Sequence, residues 1–118
     1  MSYDLSLVNP TTHEVLQHTR GHSLRGGTYA LGGTDALELN VTYNYSEHFY
    51  RVLGPEGIRT IYGMTGLESL PLLAAAAAAL GSDRDEDYWK PTEGNAQKAL
   101  LDLAQLALWG LEGEWKGD

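Results

Sequence analysis

Leu37-Glu38-Leu39-Asn40-Val41-Thr42-Tyr43-Asn44-Tyr45 alternates without a break. Leu37, Leu39, Val41, Tyr43 and Tyr45 fall on one face and Glu38, Asn40, Thr42 and Asn44 on the other, the period of a half-buried β-strand. Ser46-Glu47-His48-Phe49-Tyr50-Arg51-Val52-Leu53-Gly54 follows at once. Ser46 has the chemistry of an N-cap. Phe49, Val52 and Leu53 then recur at helical spacing until Gly54 ends the run. The spacing predicts a strand over 37–45 feeding a helix over 47–53.

Upstream, Tyr3, Leu5 and Leu7 alternate with Asp4 and Ser6, Asn9-Pro10-Thr11-Thr12 has turn composition, and Val15-Leu16 can begin a return strand. Residues 3–17 therefore read as a β-hairpin. His18 to Gly27 reads as an irregular loop. Thr28-Tyr29-Ala30-Leu31, bracketed by glycine pairs, reads as a short strand. The first third is thus β-rich and antiparallel.

Downstream, helical patterns dominate. Ile58-Arg59-Thr60-Ile61-Tyr62 is short, and periodicity leaves strand and helical turn open. Thr65-Gly66-Leu67-Glu68 has capping-box spacing, but Pro71 opposes so early a start. With Ser69 as N-cap instead, the expected helix covers 70–80 and stops at Gly81. Its six alanines, 74–79, favour helix and leave only a thin side-chain layer. Ser82 to Asp87 is an acidic linker and Tyr88-Trp89-Lys90-Pro91 an aromatic turn. Thr92 caps a last helix over 93–109, with Ala96, Ala99, Leu100, Leu103, Leu106 and Ala107 as its apolar stripe. The tail from Gly110 either packs through Trp115 or frays. The expected fold is α+β: one domain over 1–118, a small antiparallel sheet from the N-terminal third, and about three helices packed on it.

The chain has 118 residues and a formal charge of −8, from 16 acidic and 8 basic side chains. That balance argues against non-specific nucleic-acid binding, which needs many Lys and Arg against phosphates. It argues equally against anionic membrane surfaces. The longest apolar run, Leu70 to Leu80, is too short to span a bilayer, which needs about 20 residues. Cysteine is absent, which removes disulfides, thiolate zinc sites and cysteine nucleophiles. With no basic, apolar leader in Met1-Ser2-Tyr3-Asp4, the expected location is the cytoplasm.

No catalytic or cofactor fingerprint is present, and no cofactor is expected. His18 and His22 have the i,i+4 spacing of a metal pair, but Gly21 lies between them and no carboxylate completes a set, so they read as loop histidines. Gly26-Gly27 and Gly32-Gly33 match neither a Walker loop nor a dinucleotide motif. They mark turns, and Arg25 beside the first pair can offer an anion pocket. Two Asn on one strand face, Asn40 and Asn44, need either water or a ligand. Tyr45 and His48 sit at the strand–helix junction. Arg59 and Tyr62, at i,i+3, lie in a glycine-punctuated segment. Trp89 precedes a helix N-terminus, where stacking and backbone N–H groups can serve a nucleotide.

The strings Leu39 to Ser46, Gly57 to Gly66 and Tyr88 to Ala96 resemble those of small phage and bacterial proteins of unassigned activity. The resemblance covers about residues 25–118 and brings no catalytic motif. It implies a binder of host proteins or small host molecules. From the residues themselves, the expected function is non-catalytic binding of a small, polar, anionic, nucleotide-like ligand by Arg25, Asn40, Asn44, Tyr45, His48, Arg59, Tyr62 and Trp89. The alternatives are an acidic protein-binding module that inhibits a host protein, and a small enzyme on a nucleotide or sugar using His48 and Glu47. A homo-oligomer, formed through the alanine-rich helix, is also expected.

Overall fold

The computed structural model describes residues 1–28 and 33–118. Its first strand, β1 (Ser2–Val8), sits at the centre of a three-stranded antiparallel sheet. One edge pairs with β4 (Glu38–Thr42), Leu5 opposite Leu39. The other pairs with β5 (Glu114–Gly117), Leu7 opposite Trp115. The alternation of Tyr3, Leu5 and Leu7 with polar residues turns those three side chains into the core.

Because both edges of β1 are taken, the hairpin expected over 3–17 does not form. The Asn9 side chain accepts hydrogen bonds from the Thr11 and Thr12 amides and makes the turn, yet only one bridge, Val8 to Val15, follows it. The chain then enters β2 (Gln17–His22), where an irregular loop was expected. β2 pairs with β3 (Thr34–Ala36) in a separate two-stranded antiparallel sheet. The short strand expected over 28–31 lies, beyond Thr28, outside the described residues.

β4 also ends earlier than its alternation suggests. The Thr42 hydroxyl accepts the Asn44 amide, and Tyr43–Tyr45 wind into a 3₁₀ turn. Leu37, Leu39, Val41 and Tyr45 are all buried, whereas Tyr43 is only half-buried. Helix α1 (Ser46–Leu53) follows. Ser46 does not cap it; its hydroxyl bonds the Tyr3 hydroxyl instead, at 2.7 Å. Gly57–Ile61 is a 3₁₀ turn, the helical of the two readings left open.

Helix α2 (Gly66–Ala78) starts at the capping box rather than at Ser69. The Thr65 side chain accepts from the Glu68 amide and the Glu68 carboxylate from the Thr65 amide. Pro71 is tolerated inside the helix. The carbonyl it leaves without a partner belongs to Leu67, which is 61% exposed and can be met by water. Helix α3 (Glu93–Trp109) has Thr92 as its N-cap, and every residue of its expected stripe is buried. Ala76 and Ala77 of α2 belong to the same core as Ala96, Ala99 and Leu100 of α3, so the small residues serve close helix packing. Gln97 reinforces it by donating to the carbonyls of Ala77, in the last turn of α2, and of Leu80 just beyond it.

The C-terminal tail packs. Trp115 is completely buried, and its backbone pairs outward with Gly63 and Met64 while β5 pairs inward with β1. One continuous core joins the three-stranded sheet to all three helices, an α+β architecture. Among the described residues, no helix is long and apolar enough to cross a membrane.

Candidate functional site

A cavity of about 340 Å³ opens between the 23–27 loop, the 84–88 segment and one face of α3. The loop is held by its glycines. Gly26 and Gly27 have φ of +57° and +83°, in the left-handed region that glycine enters without strain. A Cβ on Gly27 would collide with the ring of Tyr45, so the main chain can lie flat on that ring only at glycine. Thr28 secures the loop through its hydroxyl, whose one proton is shared between the carbonyls of Arg25 and Asn40, at 2.6 and 2.9 Å. Thr42 adds a backbone bond to Gly26.

The opposite wall is the acidic segment, and it is ordered by α3. Asn95, on the first turn, accepts from the Asp85 amide at 3.0 Å and donates to the carbonyls of Asp87 and Lys90. Asp83 accepts from the Gly94 amide. Tyr88 is thereby brought over the cavity, and the Arg25 guanidinium lies 5.3 Å from its ring centre, in cation–π range. The Tyr45 hydroxyl donates to the Tyr88 carbonyl. Burial, with Asp87 and Asp102 nearby, pushes the Tyr45 phenol up to about 12, so it remains a donor.

The walls carry both signs of charge. Arg25, Arg84 and Lys98 supply cations; Asp85, Glu86 and Asp102 supply carboxylates. Asp102 is the buried member, 9% exposed, and Lys98 donates to its Oδ2 at 2.8 Å from one helical turn away. Desolvation raises the Asp102 pKa above the usual carboxylate value, opposed in part by Lys98, Arg84 and His22. Such a site can bind a group of either charge on one small molecule, with aromatic surface between them.

Of the eight residues expected to form a site, Arg25 and Tyr45 line this cavity. Three others hold its neighbourhood together. Asn44 donates to the Trp89 carbonyl at 2.7 Å. Trp89 is 41% exposed, with its ring centre 5.9 Å from that of Tyr88. His48 donates from Nε2 to the Pro91 carbonyl at 2.8 Å and accepts from Arg51 at Nδ1, tying α1 to the start of α3. The remaining three lie in other groupings. Asn40 donates to Ser2 and to the Asp4 carboxylate across the β1–β4 pair. Arg59 lies 4.9 Å from the Tyr3 ring centre and donates to Tyr43 and to the Asp118 carbonyl. The Tyr62 hydroxyl is buried with no partner among the described residues, and burial beside Asp118 pushes it up to about 12.

Arg84, Lys98 and Asp102 were not anticipated, and Tyr88 was read only as part of the aromatic turn, with Trp89 taken as its stacking residue. Asp102 carried a signal: it is a charge at the spacing of an otherwise apolar helix face, with Ala99 and Leu106. His22, expected in a loop, is buried; Nε2 meets the Ala36 carbonyl at 2.7 Å, and the ring lies against Trp109. His18 stacks on the same indole, 4.4 Å between centres. A second, more open concavity of about 620 Å³ near Trp109 has Glu112 as its one charged lining residue among those described.

No protein-family model matches this chain, and neither does a curated protein or a solved structure.

Proposed function

We propose that the protein is a non-catalytic binder of one small anionic, ring-bearing ligand, and that the cavity between Arg25, Tyr88 and α3 is its site. The observation that carries this is the convergence of Arg25, Arg84 and Lys98 with two tyrosine rings on a concavity of about 340 Å³. Small-molecule sites begin at about 300 Å³. The guanidiniums suit a phosphate or carboxylate, and the Tyr88 ring suits a planar group. The carboxylates on the same walls suit ring N–H donors, which makes a mononucleotide the closest common chemistry. Within this reading, the exposed alanines Ala74, Ala75 and Ala78 of α2, with Ala79 at its C-cap, are the face on which two copies meet.

Native mass spectrometry with a panel of nucleoside monophosphates tests the site. Binding of one nucleotide per chain, abolished by Arg25→Ala without loss of the folded charge-state distribution, is the expected result. No nucleotide retained by the unaltered protein overturns it. A basic protein captured in a salt-sensitive manner would instead favour the acidic protein-binding module.

A further inference from the structure

Beyond its ion pair with Lys98, the position of Asp102 works against its charge. It lies on α3, near the buried stripe that packs the helix, and desolvation works against its charge. Its Oδ2 accepts from Lys98; among the described residues Oδ1 accepts nothing. Oδ1 is not a sealed, orphaned atom, because Asp102 lines the cavity that also presents Arg25 and Tyr88. A carboxylate has about four lone-pair positions, so Oδ2 can keep Lys98 and still accept a second donor. Both oxygens can then receive two parallel N–H groups, the two-bond fork by which a carboxylate meets a planar donor pair.

We propose that Asp102 reads the ring of the ligand, and that the ring is of guanine type. Guanine alone among the common bases presents a ring N–H and an exocyclic N–H side by side. Adenine places an unprotonated ring nitrogen beside its amine, which would face a carboxylate oxygen across a repulsive contact. Hypoxanthine keeps the ring N–H and lacks the amine. Arg25 and Arg84 take the phosphate. This assignment rests on the cavity being a ligand site, and the experiment separates the two.

Guanosine, inosine and adenosine monophosphates are titrated into the full chain by isothermal calorimetry, with Asp102→Asn in parallel. The expected result is guanosine monophosphate bound at least about tenfold more tightly than inosine monophosphate, since a hydrogen bond to a charged group changes affinity by that factor or more. Adenosine monophosphate should be weaker still. Asp102→Asn, whose amide presents a donor where the carboxylate accepted, should erase the preference. Its folding is checked by near-ultraviolet circular dichroism, and Asp102→Ala serves as the second variant if the Asn form fails to fold. Three equal affinities, or a guanine preference that survives both variants, overturn the role of Asp102 and leave the cavity reading standing. Absence of binding by all three nucleotides overturns both.

Discussion

The indole of Trp115 donates to the Ser69 hydroxyl at 2.8 Å, and both side chains are completely buried. The bond joins β5 to the first turns of α2. Ser69 donates its own hydroxyl to the Gly66 carbonyl at 2.9 Å, so the buried hydroxyl is satisfied both as acceptor and as donor. The C-terminal strand is thereby locked to the helical layer by a polar contact inside an apolar core.

Ser69→Ala would strand the indole N–H without a partner in that core. The cost of such a group is about 1–3 kcal/mol. Urea denaturation should show a lower midpoint with an unchanged slope. A midpoint equal to the parent's would mean that the indole finds another acceptor.

Gly27→Ala should be far more harmful than its size suggests. The position has φ of +83°, and the new Cβ would meet the Tyr45 ring. The backbone strain alone is about 1–3 kcal/mol, and the collision adds to it. Gly63→Ala is the control, with φ of +88° and nothing within 4 Å of the added carbon. Thermal melts should place Gly27→Ala clearly below Gly63→Ala.

Tyr45 and Tyr43, two residues apart, should respond differently. Tyr45 is fully buried, and truncation to Ala should cost about 3–5 kcal/mol. Tyr43 is half-buried, so Tyr43→Ala should cost less. Tyr45→Phe keeps the ring and loses only the bond to the Tyr88 carbonyl, about 1 kcal/mol. Equal losses for the two alanine variants would contradict the 3₁₀ turn that separates their environments.

Asp102 should make stability depend on pH in the unusual direction for a carboxylate. Its folded pKa is raised by burial. Between the unfolded value, about 4, and the higher folded value, the folded state holds a proton that the unfolded state has released. Stability from this group is therefore present at low pH and falls as pH rises through the folded pKa. Asp102→Asn should melt higher than the parent at pH 7, with the gain shrinking toward pH 4.

Arg59 sits against Tyr3, Tyr43 and Asp118, outside the cavity lining. Arg59→Ala should leave nucleotide affinity unchanged, whereas Arg25→Ala should remove it. Calorimetry on the two variants decides which arginine faces the anion.

Local chemistry was enough for α3. Thr92, the apolar stripe and Gly110 all lie within one periodic stretch, and their reading needs no distant partner. The same holds for β4 as far as Val41, where alternation mirrors burial. The capping box of α2 was equally legible, but Pro71 pulled the expected start to Ser69. The penalty of a proline depends on whether the carbonyl it abandons can reach water, which no local pattern reports. Strand partners were decided only by the folded chain. Nothing in Tyr3-Asp4-Leu5-Ser6-Leu7 says that its neighbours are Leu39 and Trp115, because a strand's pattern reports which face is buried and not which distant segment reaches each edge. The cavity is of the same kind. Arg25, Tyr45, Tyr88 and Asp102 stand on four separate segments, and their meeting follows from how α3 carries Asn95 under the acidic segment and how glycine lets the 23–27 loop rest on an aromatic ring.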